Sequence, residues 1–184
     1  MARQIVNGKS LDVPIEAAKI VGTLSEQALD THVRLREIDR DLLVWLRRND
    51  VARRLTTIPG IGPVGATALA ASVTDPHQFR SGRQFAAWLG LTPLQKSSGG
   101  KERLGRITKM GDKYLRKLLV VGATSLVRRA KKNPEFDPRL ADLLARKPTR
   151  VATVAMANKT ARIIWAIMAR GETYRAGHRP ALVA

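Results

Sequence analysis

The sequence predicts an all-α fold, a long coiled-coil-like N-terminal helix followed by a compact helical domain, on three observations. Apolar or small residues recur at alternating spacings of four and three through Ala17, Val21, Leu24, Ala28, Thr31, Leu35, Ile38, Leu42 and Trp45, which is a heptad seam. A second apolar stripe runs through Leu115, Leu118, Leu119, Gly122 and Leu126, with cations crowding the other side, as in an amphipathic helix. A third stretch, Val151 to Arg170, carries Val154, Ala155, Ile163, Ile164, Ile167 and Met168 and stops at Gly171, so it reads as the buried strut of the domain.

Residues 1–14 read as a lead-in segment broken by Gly8 and Pro14, and residues 15–50 as the long helix or coiled-coil arm. Its charged positions, Arg34, Arg36, Glu37, Asp39, Arg40 and Asp41 among them, fill the faces away from the seam. Two uses fit such a helix: an oligomerisation arm, or a helix that folds back on the last helix of its own chain.

Residues 51–171 form the second domain and 172–184, with Tyr174 and His178, a tail. Near its start, Leu55 to Gly65 resembles the hairpin of a helix-hairpin-helix module. Gly60 and Gly62 permit positive φ and an uncluttered turn, closed by Gly65, whose backbone amides would face a phosphate, helped by the positive end of the next helix. Such a contact reads no base sequence. The competing reading is a tight turn between two packed helices. The alanine-rich helix from Gly65 to Val73 ends before Asp75 and Pro76. Ser81 then offers an N-cap to a helix whose apolar face is Phe85, Trp88 and Leu89, with Gly90 as the stop. Trp88 is assigned to the core and His77 to the surface.

The stretch Gly90 to Lys117 pairs Ser97 and Ser98 with Gly99 and Gly100, where missing β-carbons let another backbone approach. Lys96, Lys101, Arg103, Arg106, Lys109, Lys113, Arg116 and Lys117 surround them, against Glu102 and Asp112 alone, so the local field would attract a polyanion. On composition, a flexible basic linker fits as well. Thr108 or Asp112 caps the helix that runs to about Lys132. Asn133-Pro134 breaks the chain, Asp137-Pro138 starts a short helix bearing Leu140, Leu143 and Leu144, and Pro148 ends it.

Composition narrows the partner. Lys and Arg number 33 against 15 Asp and Glu, a formal charge of +18. That balance favours nucleic acid over small acidic molecules. Aromatics make up 4% of the chain and no apolar run approaches the ~18 residues of a membrane span, so no membrane partner is expected. Absent cysteine excludes disulfides and fits a reducing cytoplasm, where a nucleoid-associated location is expected.

Gly90-Leu91-Thr92-Pro93, Ser98-Gly99-Gly100-Lys101, Arg106-Ile107-Thr108-Lys109, Gly111-Asp112 and Leu115-Arg116 together resemble the C-terminal domain of insertion-sequence transposases of the one-ten family, whose recombinases work with a structured bridge RNA. The resemblance extends upstream through Ile58 to Pro63 and downstream to the last helix, roughly residues 50 to 175. It implies that Ser98, rather than Ser97, is a nucleophile on a DNA phosphodiester. It also implies DNA as partner, a structured guide RNA as a possible second one, and a homo-oligomer formed through the residue 15–50 helix. DNA contact is assigned to Gly60, Gly62, Gly65, Gly99, Gly100, Lys101, Arg103, Arg106, Lys109, Lys113, Arg116 and Lys117.

Serine needs activation to act as a nucleophile, and no histidine neighbours Ser98. His32, His77 and His178 lie in arm, loop and tail, which argues against a Ser-His-Asp triad. No convergent carboxylate set is evident for a metal site in this chain. Relatives in the family carry a RuvC-like domain whose Asp-Glu-Asp-Asp set binds magnesium. Residues 1–50 show nothing like it, so the expectation is the C-terminal half of a transposase without a cofactor of its own. The rival expectations are a non-enzymatic helix-hairpin-helix DNA-binding protein or transposase remnant, and a basic RNA-binding protein.

Overall fold

The computed structural model describes residues 14–95 and 104–175. Apart from one small hairpin it is helical, as the sequence predicts. The chain divides into two compact units, Met1–Trp45 and Leu46–Ala184. The first unit holds nearly all of α1, Ile15–Arg48, an unbroken 34-residue helix. Along it Leu24, Leu35, Ile38 and Trp45 of the heptad seam are exposed.

In the second unit α2 (Asp50–Leu55) and α3 (Pro63–Ser72) are joined by the glycine-containing turn. Asn49 caps α2 by accepting from the Ala52 N–H, and Pro63 opens α3, where its missing N–H costs nothing. A 3₁₀ turn, Pro76–Gln78, leads to α4 (Gly82–Trp88), which Ser81 caps as expected, its hydroxyl accepting from the Gln84 N–H. Two strands follow, β1 (Pro93–Gln95) and β2 (Leu104–Ile107), then α5 (Lys113–Lys132), a 3₁₀ turn at Pro134–Phe136, α6 (Pro138–Arg146) and α7 (Thr149–Arg170). Gly171 ends α7 in the left-handed region at φ +69°. The core gathers Leu55, Leu69, Phe85, Leu89, Leu91, Leu115, Leu119 and Ile164, drawn from almost every element of the unit. A smaller cluster, Leu126, Val127, Ala130 and Leu140, seats α6 on α5.

Several expectations need correcting. Gly62 has φ −90° and is extended, so only Gly60 of the pair uses positive φ. Thr108 caps nothing: its N–H donates to the Thr92 carbonyl and lengthens the hairpin, while Asp112 caps α5 through the Leu115 N–H. Ala155 faces solvent, because α7 packs instead through Ala152, Thr153, Ala157, Thr160 and Ala161. Trp88 is only partly core. It stacks on Phe85 at 5.7 Å between centroids and leans on Phe79, yet it keeps 38% of its surface exposed. Tyr174 does not dangle: its N–H donates to the Thr57 hydroxyl and its side chain packs on the core.

Candidate nucleic-acid interface

Charge in this chain is segregated. From Leu46 onward lie 27 of the 33 Lys and Arg but only 8 of the 15 Asp and Glu, so the whole positive excess belongs to the second unit. Three of its carboxylates are engaged with backbone and a fourth with a neighbour on its own helix, while Glu135, Asp142 and Glu172 are exposed. Asp75, Asp112 and Asp137 each accept from a helix N–H, and Asp50 pairs with Arg53 within α2. Among the described residues the remaining ion pair is Asp30 with Arg34 in α1. Among the described residues most cations of the second unit, Arg54 and Arg116 excepted, face solvent and one of them, Arg53, has an acidic partner, so their field is left for an external anion.

The two strands of the hairpin are antiparallel, pairing Pro93 with Ile107 and Gln95 with Leu104. The unequal intervals give β2 one extra residue, a bulge. Residues 96–103, which join the strands, include Ser98, Gly99, Gly100, Lys101 and Arg103; these lie outside the described residues. Below the strands the hairpin is tied down by backbone. Lys109 N–H donates to the Gly90 carbonyl, Leu91 N–H to the Ala86 carbonyl, and the Asn158 side-chain amide reaches the Leu91 carbonyl at 3.1 Å. Leu89 and Leu91 are buried beneath it.

At this base Gly111 has φ +87°, and a β-carbon there would collide with the Trp88 carbonyl oxygen. Lys109 is held at φ +57°, the left-handed region that a β-carbon disfavours. The strand-to-helix turn is thus folded tightly over the end of α4. Arg116 serves this turn: its Nη1 donates to the Leu89 carbonyl at 3.0 Å and to the Met110 carbonyl at 3.3 Å. Part of its guanidinium is therefore engaged with the protein itself. Arg106, Lys109, Lys113 and Lys117 are exposed around it.

The turn between α2 and α3 approaches from another side. Gly60, at φ +84°, packs backbone to backbone against Gly122 in the middle of α5. A β-carbon on Gly122 would fall on the Gly60 carbonyl oxygen, so α5 accepts the turn only because residue 122 has no side chain. At the start of α3 no side chain caps the helix, Gly62 and Val64 are exposed, and Gly65 is half-buried. The backbone amides of this first turn precede any intrahelical partner and are the donors that an anion would meet. Arg54, by contrast, is structural, its Nη1 donating to the Gly171 carbonyl at 2.9 Å and holding the end of α7.

Sequence reasoning passed over two exposed side chains near the hairpin base, Met110 and Tyr114, and assigned a third, Trp88, to the core. The signal for Gly122 was present, since a glycine inside an otherwise regular apolar stripe costs helix stability and so marks a close approach. Among the described residues no group of three or more His, Asp or Glu converges as a metal site would require. No helix among them is long and apolar enough to cross a membrane.

Comparison with known proteins places this architecture. Residues 52–140, from α2 into α6, match the family described as Transposase IS116/IS110/IS902. A Pseudomonas aeruginosa protein named "Probable family 20 transposase" is 43% identical over 166 residues, which is 90% of this chain and 49% of that protein. The transposase for insertion sequence element IS1111A of Coxiella burnetii is 39% identical over 160 residues, 86% of this chain and 44% of its own. The transposase for IS1328 of Yersinia enterocolitica is 41% identical over 145 residues, 76% and 42% respectively. The chain thus spans under half the length of each of these relatives. The matched region takes in both the glycine turn and the cation-lined hairpin, and the chain belongs to the IS110/IS116 family of insertion-sequence transposases.

Proposed function

We propose that this chain is a DNA-binding portion of an insertion-sequence transposase and that Ser98 is its nucleophile. The single observation that carries the reading is the concentration of exposed cations on the strand and helix that flank the serine segment, where the one described acid nearby, Asp112, caps the helix instead of pairing with them. A polyanion relieves the repulsion among such charges, and backbone amides at the start of α3 add a second phosphate contact.

In the proposed step the Ser98 oxygen bonds to phosphorus of one strand. The bond from phosphorus to the departing strand breaks, and the serine proton ends on the freed hydroxyl. Arg106 and Lys109 stabilise the charge that builds on the phosphoryl oxygens, an effect that is often the largest in such reactions. The described residues do not fit a magnesium site, so no part of this step is routed through a metal held by them. A homo-oligomer formed through the seam of α1 and a structured guide RNA as second ligand complete the proposal, with the nucleoid as the place of action.

The test is covalent trapping. The chain is mixed with insertion-element DNA, guide RNA and a separately supplied acidic domain from a relative, denatured, and examined for protein bonded to DNA. Ser98→Ala is expected to abolish the adduct and Ser97→Ala to leave it. An adduct that survives Ser98→Ala would remove the nucleophile assignment.

A further inference from the structure

Beside the hairpin base three large side chains stand in solvent where cations dominate: Met110 is 72% exposed, Tyr114 55% and Trp88 38%. Their backbones meet at one place in the fold. Trp88 ends α4 directly under Gly111, whose missing β-carbon lets the Trp88 carbonyl approach, and Met110 and Tyr114 stand either side of Gly111 and Asp112. Lys109, Lys113 and Lys117 are exposed among them. The nearby acid, Asp112, has its carboxylate on the Leu115 N–H at 2.8 Å. Trp88 has one ring face against Phe85 and is held in place, so it is a preformed platform rather than a swinging side chain.

We propose that this patch receives unpaired bases of DNA, with Tyr114 and Trp88 as stacking surfaces and Met110 as a wedge against the adjoining paired step. The inference rests on the DNA reading above and adds to it the state of the DNA at this surface. Phosphates alone require cations, not exposed aromatic and thioether groups. A paired duplex keeps its base faces stacked on one another, so it meets such groups only where a step is opened. Unpaired bases present those faces freely, while their phosphates meet the interleaved lysines. A protein partner would find the same apolar area but would have to supply carboxylates for the lysines around it.

The test compares two DNA probes, a fully paired duplex and the same duplex with a short unpaired segment carrying 2-aminopurine, together with an RNA of the same unpaired sequence as competitor, using the whole chain. The unmodified protein should bind the opened probe more tightly and quench its fluorescence by stacking. Met110→Ser combined with Tyr114→Ala, both at exposed positions, should weaken binding to the opened probe roughly tenfold or more. It should leave duplex affinity and thermal melting unchanged and restore the fluorescence. Tyr114→Phe, which keeps the ring, should behave like the unmodified protein. Equal loss on both probes, no loss on either, or a preference for unpaired RNA over unpaired DNA would each overturn the inference while leaving nucleic-acid binding intact. Failure to bind either probe at low salt would instead overturn the DNA reading, and this inference with it.

Discussion

Gly122 and Gly60 fix where the α2–α3 turn lies on α5, and a single added methyl decides whether it can lie there. Replacing a helical glycine by alanine ordinarily gains about 1 kcal/mol from helix propensity. Here the new carbon would meet the Gly60 carbonyl, which is backbone and cannot rotate aside. Overpacking of this sort costs about 1–3 kcal/mol, and with an immovable obstacle the upper part of that range applies. Gly122→Ala is therefore expected to lower stability in urea melting by about 1–2 kcal/mol net, and a rise in stability would show that the turn is not pinned there. The residue scale is also where sequence reasoning was least complete. Trp88 has helical spacing with Phe85 and Leu89 and so reads as buried, but α4 is only seven residues long and its last turn reaches the rim. Arg116 reads as one more phosphate-facing cation, because no pattern reveals that the carbonyls of Leu89 and Met110 converge on it.

Among the elements, α1 and the β1–β2 hairpin stand at opposite ends of legibility. A seam repeated over many turns is visible in sequence because each repeat restates it, and the helix observed at Ile15–Arg48 agrees with the one expected. Leu35 and Ile38 on that seam are more than half exposed, an uneconomical state for branched aliphatic side chains in water. If the seam joins copies of the chain, Leu35→Asp with Ile38→Asp should convert the oligomer to monomer in sedimentation, with melting of the second unit unchanged; an unaltered sedimentation profile would set that use aside. The hairpin escapes notice because its strands are three and four residues long, too short for period-two alternation. What holds it is largely remote in sequence, such as the Asn158 amide of α7 on the Leu91 carbonyl.

For the molecule as a whole, the positive excess of the second unit makes ionic strength the governing variable. Each phosphate neutralised should contribute a slope of about −0.9 to log K against log salt on duplex DNA. Binding by three or four of Arg106, Lys109, Lys113 and Lys117 together should thus give a slope of roughly −3 to −4 in anisotropy titrations. A flat profile would mean that these cations do not meet phosphate. The sequence by itself determined the helical class, several helix boundaries such as Ser81, Asp137 and Gly171, the charge and the family, because these depend on local spacing, on capping residues next to the helices they cap, and on composition. Tertiary structure alone decided which cations remain free and which, like Arg54 and Arg116, hold carbonyls of the protein. It also decided that one glycine of the α2–α3 turn meets the middle of α5, and that Gly111, between Met110 and Tyr114 in the chain, packs on the Trp88 carbonyl while all three of those side chains stay exposed. Those outcomes depend on groups far apart in the chain meeting in space, where contact geometry, unlike helix propensity, has no local signature.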